Sequence, residues 1–280
     1  MNQEADTANG RVCVVTGATG MLGRATPSSS PPAAPTLCSS AGTPPAALAS
    51  WMRSARPGLG GHTGWPSATW PTRMRCALAA QIRHDTDELH ALVHTAAALT
   101  RDRQDSRAGQ ELMFATNVLG RFLLTHQLLP LLERGAPARV LVVTGPSPDR
   151  LDFDDLMARS DFKPFMQFRA TNAANLLFAF ELARRLEGTK VTANAYHPGA
   201  LQSDLMRQMP AMVRLLTWPV GRRAGRAARA LAALALEARY AQATGRFYKR
   251  DKPATPPKSS QDTDAQQRLW AECQRLLGIA

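Results

Sequence analysis

Residues 11–23 read RVCVVTGATGMLG, and this stretch decides the fold class. Its first half is a short apolar run that ends in Thr-Gly, which is typical of a buried parallel strand. A glycine-rich turn follows directly. Glycines permit a tight turn and let the backbone approach a pyrophosphate, while the next helix offers free N–H groups to the negative charge. The stretch therefore predicts a nucleotide-binding turn, with a plain strand-to-loop turn as the alternative.

Strands and helices alternate along the rest of the chain. The apolar patterns predict strands at 89–94, 139–145 and 191–196, and long helices at 110–133 and 165–186. This alternation is typical of an α/β protein with a doubly wound parallel sheet, which is a Rossmann-like fold. A chain of 280 residues is long enough to bury a core of this kind. We expect residues 1–280 to form a single domain.

An aberrant segment rich in proline and serine, residues 26–76, interrupts this pattern. Nine of the twenty prolines of the chain lie between Pro27 and Pro71, and no Asp or Glu occurs between Thr7 and His84. Proline cannot donate a hydrogen bond to a strand ladder, so the segment would form poor central strands. The second and third strands of the sheet are therefore predicted to be disrupted.

Charge, cysteines and hydropathy argue against several classes of protein. The formal net charge is +12, but no basic-aromatic platform accompanies it, so we expect no nucleic-acid partner. The four cysteines have no metal-like spacing, which predicts free thiols and no metal site. No apolar run is long enough to span a bilayer, so we expect a cytoplasmic protein. One arginine cluster lies on a predicted helix, where a solvated face is the ordinary explanation: Arg222, Arg223, Arg226 and Arg229.

Five motifs, taken in order, carry a resemblance to a known family. They are TGATGMLG at 16–23, FATNVLGRFLLTHQLLPLL at 114–132, RVLVVTG at 139–145, ATNAANLLFAFELARRLEGTKVTANAYHPGALQSDL at 170–205, and GRFYK at 245–249. Together they resemble the short-chain dehydrogenase/reductase family, and most strongly its retinol-dehydrogenase-like branch. The resemblance covers residues 10–24 and 77–280, and it implies an NAD(P)-dependent oxidoreductase.

The genetic code offers an explanation for the interrupted segment. If the last base of each codon is joined to the first two bases of the next, residues 27–43 can be reread as VVLAARGAHAVLVCRD and residues 64–77 as VAVCDLADPDAVR. These readings match the family, which has one strand ending in a residue that selects the coenzyme and a later strand ending in Asp-Leu. We therefore favour a pair of compensating frameshifts over a genuine disordered insert.

The resemblance also implies a set of coenzyme contacts. NADP is favoured over NAD, because the reread strand ends in Cys-Arg-Asp. His94 stands where the family has an asparagine, and its role is either that of a proton donor or that of a hydrogen-bonded structural residue. The residues that would contact the coenzyme are Gly17, Thr19, Gly20, Leu22, Gly23, His94, Pro198, Gly199 and Ser203.

The catalytic positions depart from the family pattern. Members use a tyrosine as acid/base, a lysine four residues later that lowers the pKa of that tyrosine, a serine that polarises the substrate oxygen, and an asparagine. Here the tyrosine position holds Phe168 and the lysine position holds Asn172. The serine position falls at Gly145, with Thr144 as a neighbouring hydroxyl, and only the asparagine, Asn117, is kept. The loss of a positioned acid/base removes a contribution of about 10²–10⁴-fold to the rate.

Several functions therefore stay open. By resemblance the chain is an oxidoreductase that acts on a lipophilic alcohol or carbonyl compound, with residues 205–235 as an apolar lid and a basic helix. The alternatives are a dinucleotide-binding pseudoenzyme and a non-redox or partner-binding protein on the same scaffold. A small apolar substrate is the expected partner, and relatives often form homodimers through the two long helices. Membrane contact through the lid is a further alternative.

Overall fold

The computed structural model of the chain describes residues 11–17, 37–39, 72–199 and 224–279. Its seven strands are β1 (Cys13–Thr16), β2 (Leu37–Ser39), β3 (Ala91–His94), β4 (Ala138–Val143), β5 (Val191–His197), β6 (Phe247–Lys249) and β7 (Lys252–Ala254). Its helices are α1 (Thr72–Asp85), α2 (Leu112–Phe114), α3 (Gly120–Arg134), α4 (Pro164–Arg185), α5 (Ala224–Leu236) and α6 (Thr263–Leu277). Short 3₁₀ turns cover Ala238–Tyr240 and Lys258–Gln261.

The strands form one sheet in the order β2-β1-β3-β4-β5-β6-β7. All neighbours pair in parallel except β6 and β7, which form an antiparallel hairpin. One apolar layer joins the sheet to α1, α3, α4 and α6, and a second layer joins the opposite face to α5. Because both faces are covered, the strands read as continuous apolar runs. The doubly wound, Rossmann-like fold predicted from the sequence is confirmed.

Among its described residues, the interrupted segment contributes one short strand to this sheet. The three residues of β2 pair with β1, with Cys13 opposite Leu37. None of the three is proline, so each has an N–H that can join a ladder. A mean strand has about 5–6 residues, and β2 is much shorter. The third strand expected from the family would fall within residues 40–71, which lie outside the described residues.

The helix predicted at 110–133 is divided into three parts. Glu111 caps α2, since its carboxylate accepts hydrogen bonds from Met113 N and Phe114 N at 2.7 Å each. A π-helical turn then covers Ala115–Leu119, and α3 continues from Gly120. The apolar spacing runs through all three parts without a break, which explains why the sequence predicts one regular helix. π-turns of this kind often mark functional sites.

The carboxyl-terminal helix α6 covers the outer face of α3 and α4. Trp270 lies edge-on to Phe122 of α3, with ring centroids 4.6 Å apart, and stacks against Phe178 of α4 at 6.1 Å. The Arg185 guanidinium lies 4.3 Å from the centre of the Trp270 ring. A homodimer through the two long helices α3 and α4 stays a prediction. Such a dimer would have to use the part of their surface that α6 does not cover.

Two arginines explain part of the positive charge. Arg11 donates to Leu236 O at 2.6 Å and Arg139 donates to Leu234 O at 3.1 Å, so both cap the carboxyl end of α5. Burial, together with the neighbouring charge of Arg11, lowers the pKa of Arg139 to about 10, and the group stays charged at neutral pH. Cations at this end of a helix are favourable. On α5 itself, Arg226 and Arg229 are exposed, as predicted for a solvated face.

Candidate active site

The predicted nucleotide-binding turn begins where β1 ends. The chain leaves β1 for β2 on one side, and β3 lies on the other side, so the sheet has a topological switch point beside β1. Open α/β sheets bind ligands in the crevice at such a point. Gly17 has a φ of +72°, and a β-carbon there would lie 2.7 Å from the backbone of Ala96. Only glycine fits this close approach. The other predicted residues of the turn, Thr19, Gly20, Leu22 and Gly23, lie outside the described residues.

The ends of β1 and β3 are tied together beside this turn. The Thr95 hydroxyl and the Thr95 N–H both donate to Thr16 O. The ring of His94 is fully buried, and its Nε2 lies 2.8 Å from the Thr125 hydroxyl of α3. This geometry fits the structural alternative for His94 better than a role as proton donor.

Asn117 lies in the π-turn and joins two parts of the site. Its Oδ1 accepts from Ala98 N at 2.7 Å, and its Nδ2 donates to Ala98 O at 2.9 Å and to the Thr171 hydroxyl at 3.2 Å. Thr171 in turn donates to Phe168 O at 2.8 Å. The asparagine therefore connects the loop after β3 with the helix that carries Phe168 and Asn172. The sequence did not predict Thr171 as a site residue, because its spacing in the chain does not indicate a partner in the π-turn.

Phe168 packs in a small apolar cluster and not in a polar network. Leu99 and Met113 are buried at its centre, and Phe162 and Phe168 are partly buried against them. A phenyl ring has no exchangeable proton, so this position cannot act as a general acid or base. The cluster instead gives the site an apolar wall.

Asn172 is turned toward the end of β4. Its Oδ1 accepts a hydrogen bond from Gly145 N at 3.1 Å, and the Thr144 hydroxyl lies 3.2 Å from Oδ1 and 3.0 Å from the Asn172 backbone oxygen. Three sequence-predicted positions, 144, 145 and 172, are therefore in direct contact. The Thr144 hydroxyl is thus in hydrogen-bond contact with Asn172, the residue that stands at the lysine position of the family pattern.

A buried arginine crosses beneath the site. Arg121 of α3 donates to Val143 O at 2.7 Å and to Ala96 O at 2.6 Å, so it binds the carboxyl ends of β4 and β3 at once. Its side chain is almost entirely shielded from solvent. The sequence reasoning missed this residue, although a charge within the apolar run of α3 was the available signal. The guanidinium thus links the backbone at the end of β4 to the loop that follows β3.

His197 closes the site at the end of β5. Its Nδ1 lies 3.2 Å from Thr144 O, and burial lowers the pKa of the imidazole. The hydrogen bond with Thr144 opposes this effect, and the charges of Lys249 and Arg250 reinforce it. Nδ1 therefore donates to Thr144 O from a neutral ring. Pro198 and Gly199 follow, and Gly199 has a φ of +88°; Ser203 lies outside the described residues.

The lowered pKa of His197 predicts a dependence of stability on pH. Its unfolded-state pKa is about 6.5, so below that value the unfolded chain binds more protons, and stability is lost as the pH falls toward the lower folded pKa. We expect the free energy of unfolding to fall less steeply from about pH 7 to about pH 5 in His197→Gln than in the parent. Urea unfolding at several pH values measures this, with the exposed His84→Gln as control. Parallel pH profiles for the parent and His197→Gln would contradict the assignment.

The described part of the chain contains no candidate metal site and no membrane-spanning helix. Within 11–17, 37–39, 72–199 and 224–279, no three His, Cys, Asp or Glu side chains form a group that could hold a metal ion. Over the same ranges, no helix combines the length and the apolar character needed to cross a bilayer. The predicted lid falls mostly on residues 205–223, outside the described residues, and the remainder of 205–235 forms most of α5.

Known proteins resemble the chain in sequence. No protein-family model matches it. Dehydrogenase/reductase SDR family member 13 of Homo sapiens is 34% identical over 215 residues, which covers 72% of this chain and 56% of that protein. Retinol dehydrogenase 14 of Homo sapiens is 29% identical over 211 residues, with coverages of 72% and 63%. The aligned part of the chain thus spans less than two thirds of the length of these relatives.

Solved structures agree in fold. A crystal structure of an uncharacterized protein from Mycobacterium paratuberculosis has a TM-score of 0.70 and 23% identity, and covers 98% of this chain and 97% of its own. The RhlG/NADP active-site complex of Pseudomonas aeruginosa has a TM-score of 0.63 and 20% identity, with coverages of 90% and 98%. The fold, the order of the sequence motifs and the curated relatives agree, and the chain belongs to the short-chain dehydrogenase/reductase family.

Proposed function

We propose that the chain is an NAD(P)-dependent oxidoreductase that acts on a lipophilic alcohol or carbonyl compound. The observation that carries this proposal is the convergence of three features at one edge of the sheet: the Gly17 turn, the Asn117 network and the loop at His197–Gly199. Gly17, Pro198 and Gly199 are the described residues that would hold the coenzyme. When bound, the nicotinamide ring supplies or accepts the hydride. NADP is proposed over NAD because the alternative reading of the interrupted strand supplies an arginine, a residue type that accommodates a 2′-phosphate.

The lipophilic substrate is supported by two observations. The wall formed by Leu99, Met113, Phe162 and Phe168 is apolar and adjoins the helix that carries Asn172. The curated relatives include proteins named retinol dehydrogenases. An apolar wall favours an apolar ligand, since burial of apolar surface is the main source of its binding energy.

A second candidate is a dinucleotide-binding protein without turnover. Phe168 and Asn172 favour it, because neither side chain can deliver a proton at neutral pH. Both candidates predict coenzyme binding, and they differ in whether hydride transfer follows. A non-redox or partner-binding protein would not need the coenzyme at all.

Coenzyme binding is the first test of both candidates. We expect NADPH to raise the unfolding temperature of the full-length protein, and Gly17→Ala to abolish that rise, because the added β-carbon would meet the backbone of Ala96 at 2.7 Å. Differential scanning fluorimetry with NADPH and with NADH measures the effect.

The matched control is Gly188→Ala. Gly188 also has a positive φ, +81°, but no atom of the described residues lies within 4 Å of a β-carbon placed there. Gly188→Ala should keep the response to NADPH, although both variants carry the same kind of backbone strain. A parent protein that binds neither coenzyme would overturn both candidates. Binding without oxidation of NADPH in the presence of lipophilic aldehydes would favour the second.

A further inference from the structure

The Asn172 side chain is anchored at one end only. Gly145 N donates to its Oδ1 at 3.1 Å. Because a backbone N–H can only donate, the amide oxygen must face Gly145 N, and the NH₂ group must form the other end of the side chain. Nδ2 donates no hydrogen bond to any residue in the part of the chain that the structure describes. The side chain thus keeps two N–H donors available.

These donors face the space above Gly145. A β-carbon placed on Gly145 would lie 3.3 Å from Asn172 Nδ2 but 3.7 Å from Oδ1, so the NH₂ group is the nearer end of the amide. This space lies at the carboxyl end of β4, at the edge of the sheet where open α/β proteins bind their ligands. Asn172 is only half-buried, so a ligand can approach it from the crevice.

Hydrogen bonds fix the backbone of residues 143–144, which lies next to the Asn172 amide. Val143 O accepts from Arg121 at 2.7 Å, Thr144 N donates to Tyr196 O at 2.9 Å, and Thr144 O accepts from His197. Donors that are held in place before a ligand arrives do not need to reorganise, and they stabilise negative charge on an oxygen more strongly than mobile donors do. The charge of the buried guanidinium adds a positive potential in the same region.

We infer that the Asn172 amide donates a hydrogen bond to the oxygen of the substrate's carbonyl or alcohol group. This inference rests on the proposed function, and it gives that function a residue that orients and polarises the substrate. An amide does not titrate, so Asn172 positions the oxygen but moves no proton. Because residue 145 is glycine, it has no side chain that would cover the NH₂ group of Asn172.

The test uses Asn172→Asp in the full-length protein with 4-(dimethylamino)benzaldehyde as probe. The carboxylate has nearly the same shape and can still accept from Gly145 N and Thr144, but it has no N–H to donate. The absorption band of this aldehyde moves to longer wavelength when its oxygen accepts a hydrogen bond, so the spectrum of the bound probe reports the contact without any turnover. The control is Gln267→Glu, the same amide-to-carboxylate change at an exposed position on α6.

We expect the parent and the control to shift the band of the bound probe, and Asn172→Asp to bind the probe about tenfold more weakly and without the shift. The same shift in the parent and in Asn172→Asp would overturn the role of Asn172 and leave the proposed function intact. Absence of saturable binding to the parent, with or without NADP⁺, would overturn both, because the crevice would then hold no carbonyl compound.

Discussion

The variant Phe168→Tyr with Asn172→Lys is expected to transfer hydride about 10²–10⁴-fold faster than the parent chain. The tyrosine supplies the proton, and the lysine lowers the pKa of the tyrosine by its nearby charge. Neither substitution should suffice alone. A tyrosine without a nearby cation keeps a pKa near 10, and a lysine without the tyrosine has no hydroxyl group whose pKa it could lower. Oxidation of NADPH with a series of lipophilic aldehydes, followed by absorbance, measures the rate.

The two single variants and Phe165→Tyr with Asn172→Lys are the controls. Phe165 lies on the same helix but is 46% exposed, so a hydroxyl there faces solvent. The controls should stay within a few-fold of the parent rate. A double variant that binds NADPH and still turns over no faster than the parent would show that the chain lacks more than the proton relay. The proposal of a retained oxidoreductase site would then fail.

Phe122→Ala is expected to lower the free energy of unfolding by about 3–5 kcal/mol. Phe122 is 1% exposed, and its ring lies 4.6 Å from that of Trp270 and 5.7 Å from that of Phe178. The substitution removes buried apolar area and two aromatic contacts, and it leaves a cavity where α3, α4 and α6 meet. Urea unfolding followed by tryptophan fluorescence and by circular dichroism measures the loss.

Phe165→Ala is the matched control for this prediction. It removes the same side chain from an exposed position, where a change within about 0.5 kcal/mol is usual. A loss below about 1 kcal/mol for Phe122→Ala would mean that α6 does not pack on α3 and α4 as described.

The sequence predicted most of the sheet because parallel strands buried on both faces have a simple signature. β1, β3, β4 and β5 each coincide with an apolar run, and the long helix α4 begins and ends within a residue of its predicted bounds. The π-turn at Ala115–Leu119 was not predicted, because every residue from Leu112 to Thr125 is buried and the extra residue therefore produces no visible shift of an apolar face. The resemblance proposed a set of site residues, but it gave no information on what they contact.

Most of the features that could not be predicted from the sequence are polar contacts between residues that are far apart in the chain. The links of Asn117 to Thr171, Arg121 to Val143 and His197 to Thr144 each join residues that are distant in the chain. Hydropathy patterns contain no information about such partners. The bounds of the segment at 26–76 were predicted from its composition, but nothing in composition indicates which three residues, Leu37–Ser39, would reach the edge of β1.

The contact between Gly145 and Asn172 has a consequence for protein engineering. A serine introduced at 145 would place its β-carbon 3.3 Å from Asn172 Nδ2. The amide would therefore have to shift by a few tenths of an ångström to accommodate the serine. A lysine introduced at 172 discards the acceptor of Gly145 N. The native asparagine at 172 thus disfavours the family's serine at 145, and a mutant library that varies one codon at a time would miss combinations that need both changes.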